Sequence, residues 1–469
     1  MGQQYKLCAF YNIPAAMEFL WKGSIMEDNI TGNTKTKQKK VKTRRRTETN
    51  WQKLDNTANL FPAIATHTMT NVYRIAVELD EDIDRNTLQK ALDMVLPGFG
   101  TFNVHMRKGV FWYYFETNNK RPPLVEEESD YPCRYIEPYG NNNYLFRVTY
   151  YKKRINLEVF HVLADGMGGI NFLRELVYQY LRLRHPGIEG EQGSGLSDVT
   201  SLNTEDSYLK NYRKGHAKGY KTARAVEVKG EKLVAGELGV IHGYMPLDEV
   251  KKAGKSFGAS INEYLAGLFA YSVFCEYLHG QPSSKPVVIC VPVNLRPYFD
   301  SMTTRNFFVM VSALFKAEKD DYTFEEVLGK IKESLKSQIN KEHLEELFSY
   351  NVSNQKNIFL RSVPFFIKKI AMKFVYKSSA KAGTTTLTNI GNIAIDDVYK
   401  DYIKRFYSMI SVSTGQNIKG AVVSYNGELV FTFTSILADV SIQRRFFTLL
   451  AEHGVNVTIE SNGVYYEQL

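Results

Sequence analysis

RINLEVFHVLADGMGGINFLRELVYQYLRLRHP, residues Arg154–Pro186, changes its period part-way along. Ile155, Leu157, Val159 and His161 alternate with Asn156, Glu158, Phe160 and Val162, the two-residue repeat of a β-strand. Beyond Asp165-Gly166 the repeat becomes helical, through Ile170, Leu173, Leu176, Val177, Tyr180 and Leu181, and His185-Pro186-Gly187 closes the helix. A histidine therefore ends a strand, and an Asp-Gly turn leads into a long helix. A strand end holds an imidazole more firmly than a loop does. The chain must turn between His161 and Asp165, and Gly166 is expected to supply a positive φ there. Nine histidines, each asked for Asp at +4 and Gly at +5, give roughly 0.03 chance matches at average residue usage. The plain structural alternative is a strand-end histidine followed by a helix-capping Asp.

The chain has 469 residues, 44% of them hydrophobic, which suits two domains with large cores. Cys8, Cys133, Cys275 and Cys290 show neither metal-ligand spacing nor a disulfide framework, so a reducing, cytoplasmic setting and no metal are expected. No apolar run is long enough for a membrane span, and Leu7–Leu20 is too mixed for a secretory signal. The net charge of +9 is uneven: residues 1–50 hold ten Lys or Arg against four Asp or Glu, which leaves only +3 for the rest. The basicity is a property of the tail, and a specific nucleic-acid-binding body is not expected. A run from Lys35 to Arg46 reads as a solvated arm, with weak anionic membrane contact as its alternative.

Four segments follow from composition and periodicity: a basic extension at 1–50, with a short helix at Ala15–Trp21; a first half at 51–190; a linker and crossover at 191–235; and a second half at 236–469. Strands are expected at Val72–Leu79, Leu145–Tyr151, Gly239–Pro246, Val287–Leu295 and Phe307–Phe315. Leu145–Tyr151 should join Ile155–Leu163 through a three-residue turn. Lys108-Gly109 and Asn426-Gly427 mark hairpins. Asp84 and Ser260 cap helices, and Phe324, Val327, Leu328, Ile331, Leu335 and Ile339 line another. Phe359–Tyr376 alternates basic and apolar residues, as a helix packed on the body with its lysines outward, a membrane-lying segment or an acyl-channel lining would, and Pro364 sets its start. Strands and helices mix in both halves, an α/β or α+β pattern.

The His161-Val162-Leu163-Ala164-Asp165-Gly166 segment at a strand end resembles the His-x-x-x-Asp-Gly active-site motif of the chloramphenicol acetyltransferase-like superfamily. That superfamily includes alcohol acetyltransferases, wax ester synthases, plant acyltransferases and the condensation domains of peptide synthetases. Many members carry two histidines in a row. Here Phe160 holds the first position, and His161 holds the second, which carries catalysis in the family. Val291–Pro297 with Arg305-Asn306-Phe307, Thr386–Gly391, and Ser260–Glu263 resemble further segments of alcohol acetyltransferases, in the right order over residues 51–460.

The resemblance implies an α/β fold (an α+β sandwich) of two chloramphenicol acetyltransferase-like domains, arranged as a pseudo-dimer with an inter-domain tunnel. It implies that His161 is the base and that Asp165 is structural, ion-paired with Arg296. Gly166 belongs to the motif, Arg296 and Asn294 are supporting residues, and Asn389 and Gly391 line an acceptor channel. Acyl-coenzyme A is then a co-substrate, with no bound cofactor, and the acceptor is a small or lipophilic alcohol or amine. Two alternatives stay open. One is transfer from an acyl carrier protein thioester, as in condensation domains. The other is a catalytically silent binding or assembly protein on the same fold, for which Phe160 leaves room.

Overall fold

The computed structural model describes residues 51–55, 57–188, 204–214, 224–357 and 362–465. The basic extension, the helix expected at Ala15–Trp21 and most of the Gly187–Ser207 linker lie outside the described residues.

Two large sheets organise the chain. The first has five strands in the spatial order Ile403–Ile410, Val72–Leu79, Arg154–Phe160, Phe146–Tyr151, Glu126–Glu127. The second has seven, in the order Phe308–Phe315, Val287–Asn294, Thr385–Asn392, Ile418–Tyr425, Glu428–Ser435, Gly239–Pro246, Thr458–Ser461. A small sheet joins Trp51–Lys53, Tyr113–Thr117 and Val104–Lys108. Among the described residues, parallel pairing is found at Thr385–Asn392, which runs parallel to both neighbours, and at the short Glu126–Glu127. Two apolar cores result: one lies around the first sheet and takes in Val240, Tyr244, Val423 and Val430 of the second, and the other packs on the second sheet. The architecture is the mixed α/β, two-domain one expected.

Local chemistry explains most of the elements. Ser260 and Thr323 each close a capping box, with Glu263 and Glu326. Asn426 and Gly427 both take positive φ, 45° and 81°, as a tight two-residue hairpin turn requires. The hairpin of Phe146–Tyr151 and Arg154–Phe160 corrects the expected three-residue turn: its loop is Lys152-Lys153, with Lys152 at φ 50°.

The strand Arg154–Phe160 is buried on both sides, so its alternation separates two covered faces rather than core from solvent. Ile155, Leu157 and Val159 lie in the apolar core, on the side where the helix Gly166–Arg184 packs. The opposite face holds Asn156 and Glu158, both fully buried. Glu158 is bound by the guanidinium groups of Arg74 and Arg147 and by the Cys133 N–H, and Arg74 also pairs with Glu128. Buried charges persist when they are paired in this way.

One strand crosses between the halves. Ile403–Ile410 comes from the second half but pairs antiparallel with Val72–Leu79 and completes the first sheet.

Candidate active site

The strand Arg154–Phe160 delivers His161 to the meeting of the two halves. The His161 N–H donates to the Asn71 carbonyl at 2.9 Å, which extends the strand pairing by one residue. Phe61 stacks on the imidazole with centroids 4.6 Å apart, Tyr73 meets it edge-on at 5.2 Å, and Phe308 of the second half lies tilted at 5.6 Å. Phe160 points away and is buried in the core. Phe160, where the motif it resembles often carries a first histidine, is a packing residue here.

Asp165 is the N-cap of the helix Gly166–Arg184, with its carboxylate accepting from the Gly168 N–H at 3.2 Å. The same carboxylate forms a two-pronged ion pair with Arg296, at 2.9 and 3.0 Å, and accepts from the Phe307 N–H at 3.0 Å. The capping role, the plain reading of the sequence, and the ion pair that the resemblance implies are both present. Arg296 is fixed in turn: it donates to the carbonyls of Thr303 and Arg305 and to the Asn294 side chain, whose oxygen also accepts the Arg296 N–H. Asn294 therefore aims Arg296. The Tyr73 hydroxyl donates to the Asp165 carbonyl at 2.8 Å, and its burial pushes the phenol well above its ordinary range.

His161 has a second set of partners that the sequence did not point to. Its Nδ1 lies 3.0 Å from the Asn306 side-chain oxygen. The Asn306 Nδ2 donates to Asp55 Oδ2 at 3.1 Å and to the His161 carbonyl at 3.2 Å. Both of those partners are acceptors, which fixes the amide orientation and leaves an acceptor facing Nδ1. The Nδ1 therefore carries the proton. Nε2 has no hydrogen-bond partner among the described residues and keeps its lone pair. Asp55 is held by the Ala58 N–H at 2.7 Å. Burial, reinforced by the charge of Asp206, raises its carboxyl to about 7. Burial lowers the His161 pKa; Asp165 opposes this and the charge of Lys419 adds to it. The imidazole is thus neutral at neutral pH.

The remaining expected residues separate. Asn389 donates to Asn262 at 2.6 Å and accepts the Gly391 N–H at 2.8 Å, with Gly391 at φ 90°. Both line a cleft of about 690 Å³ with Lys251, Ile393, Lys400 and Tyr425, and neither His161 nor Asp165 lines it. Gly166 corrects an expectation. It does not take positive φ; it begins the helix, and a Cβ there would meet only Ile390, at an ordinary 3.5 Å. The demanding glycines are Gly168, where a Cβ would collide with the Thr304 carbonyl of the second half, and Gly169, where it would meet the Tyr73 hydroxyl at 2.7 Å. Thr101 and Thr304 share a 2.6 Å hydroxyl hydrogen bond at the same junction.

Solved structures share this architecture. The chain is similar to TRI101 of F. sporotrichioides complexed with coenzyme A and T-2, with a TM-score of 0.58 at 11% identity, over 85% of this chain and 97% of that one. It is similar to the first condensation domain of the calcium-dependent antibiotic synthetase, with a TM-score of 0.55 at 12% identity, over 87% and 99%. It is also similar to polyketide synthase associated protein 5 from Mycobacterium tuberculosis, with a TM-score of 0.52 at 13% identity, over 85% and 97%. No family model matches the sequence, and no curated protein does. The chain thus has the two-domain chloramphenicol acetyltransferase-like fold, the one found in both acetyltransferases and condensation domains.

Proposed function

We propose that this protein transfers an acyl group from a coenzyme A thioester to the hydroxyl of a small or lipophilic alcohol, with His161 as general base. The observation that carries the reading is the imidazole itself: its Nδ1 is committed to Asn306, and its Nε2 is unpartnered among the described residues. Nε2 takes the proton of the acceptor hydroxyl as its oxygen attacks the thioester carbonyl. The tetrahedral intermediate collapses with cleavage of the C–S bond, and the imidazolium returns the proton to the departing sulfur. The ester and the free thiol leave, and the histidine is neutral again. No acyl-enzyme is needed. Asp165 acts through structure: its pair with Arg296 fixes the turn after His161 and ties it to the second half. Asn306 and Asp55 hold the tautomer. TRI101 in complex with coenzyme A and T-2 supports a coenzyme A donor.

The test is release of free thiol from acetyl-coenzyme A and longer acyl-coenzymes A, across a panel of alcohols and amines. Release should depend on the acceptor and vanish in His161→Ala while the fold persists. Release equal in His161→Ala and wild type would overturn the assignment. Transfer only from acyl-loaded carrier protein would move the chain to the condensation-domain chemistry.

A further inference from the structure

Two stretches far apart in sequence form one exposed apolar surface. The hairpin joining Val104–Lys108 to Tyr113–Thr117 carries Val110, Phe111 and Trp112 at its tip. The helix Phe365–Ser379 carries Phe366, Ile370 and Phe374 one turn apart. The Phe365 N–H donates to the Val110 carbonyl at 2.9 Å, and the rings of Tyr113 and Phe365 meet at 4.6 Å, so tip and helix are joined rigidly. Val110 is 73% exposed, Phe366 64%, Ile370 69% and Phe374 70%. The helix already buries its opposite face, through Phe365, Met372, Val375 and Tyr376. A helix that is apolar on both faces has a second partner.

The charge around the surface identifies that partner. Lys108, Lys368, Lys369, Lys373 and Lys377 rim it. Residues 347–395 contain seven Lys or Arg and not one Asp or Glu, and residues 106–115 contain no acid either. Lys368 donates to the Phe111 carbonyl at 3.2 Å, and Lys108 lies 5.9 Å from the Phe365 ring centroid. The lysines are crowded: burial and the charges of Lys373 and Lys108 together hold the Lys369 ammonium below its ordinary pKa. A second copy docked by the same face would set lysine against lysine. A surface of phosphate headgroups over acyl chains matches both features at once.

We propose that this face docks the protein on a lipid bilayer rich in anionic lipid. Phe366, Ile370 and Phe374 enter the acyl boundary beside Trp112, and the lysines reach the phosphates. The helix lies on the membrane and does not cross it; among the described residues no helix is long and apolar enough to span one. It packs on Phe61–Ile64, whose Phe61 stacks on His161, so the docked face is one short helix away from the imidazole.

The test is flotation of the full chain with vesicles of phosphatidylcholine alone or with about 30% phosphatidylglycerol. Wild type should float with the anionic vesicles. The Ile370→Glu/Phe374→Glu variant should bind them about tenfold more weakly or worse, with an unchanged circular dichroism spectrum. Equal binding by the variant would overturn the proposal and assign membrane contact to the basic residues 1–50. Absence of vesicle binding by wild type would also overturn it. In that case, a wild-type dimer that the variant makes monomeric would assign the face to a second copy. Binding is read without turnover, so this inference stands or falls separately from acyl transfer.

Discussion

Replacing Asp55 with Asn changes one oxygen to an amide nitrogen two hydrogen bonds away from the reacting atom. Asp55 accepts twice, from the Ala58 N–H and from Asn306 Nδ2. An Asn at 55 can satisfy Ala58 with its oxygen, but its nitrogen then faces the Asn306 nitrogen. Turning the Asn306 amide over removes that clash, and its nitrogen then points at His161 Nδ1. The imidazole responds by moving its proton to Nε2, which can no longer act as a base. Keeping the productive tautomer instead leaves a buried donor facing a donor, at a cost of about 1–3 kcal/mol. At about 1.36 kcal/mol per decade, kcat should fall roughly 5- to 150-fold with little change in KM. Steady-state thiol release measures this directly, and ¹⁵N chemical shifts of His161 report the tautomer. A stability profile gives an independent reading. The folded-state Asp55 pKa, about 7, lies above its ordinary 3.8. The native protein therefore binds the extra proton, and stability from this group falls as pH rises between those values. The variant should lack that slope. A folded Asp55→Asn enzyme with wild-type kcat would refute the tautomer argument.

Arg296→Ala removes the arginine that pairs with the Asp165 carboxylate and leaves that charge nearly buried; unfolding in denaturant should show a loss of about 3–5 kcal/mol, and wild-type stability would contradict the bridging role. Gly168→Ala drives a methyl into the Thr304 carbonyl and should lower the melting temperature and activity together, whereas Gly166→Ala should be tolerated in both assays. The lowered His161 pKa keeps the base form available below its ordinary 6.5, so the acid limb of kcat/KM against pH should lie under that value. Deletion of residues 1–48 should leave turnover of soluble substrates unchanged in the thiol assay.

The parts of the site legible in the sequence are those set by neighbours along the chain. His161 at a strand end and Asp165 at a helix start follow from a change of period within a few residues. The Asp165–Arg296 pair followed from the resemblance together with the physical need of a buried carboxylate for a partner. Asn306, Asp55 and Tyr73 escaped because register places them. Tyr73 reaches the motif through antiparallel pairing with Val159, and Asn306 reaches His161 across 145 residues. Asn306 lies in the Arg305-Asn306-Phe307 segment that carries part of the resemblance, yet nothing local marks it or Asp55 as a partner of the histidine. The strand Ile403–Ile410 and the helix Lys341–Lys356 were missed for different reasons. The strand owes its place to a distant sheet. The helix has a detectable repeat in Leu344, Leu347, Phe348 and Val352, all buried, but it is diluted by polar residues. Gly166 shows the opposite error, since an Asp-Gly pair suggested a turn conformation that the helix start does not use.

The strand that crosses between the halves orders the protein's birth. Val72–Leu79 is almost wholly buried in the finished sheet, yet its partner Ile403–Ile410 leaves the ribosome only after the whole of residues 80–402. Until then the first sheet has an open apolar edge, a template for pairing with other nascent chains. Residues 51–190 made alone should therefore aggregate, and Ile403–Ile410 acts as an intramolecular cap that arrives only after residues 80–402 have been made.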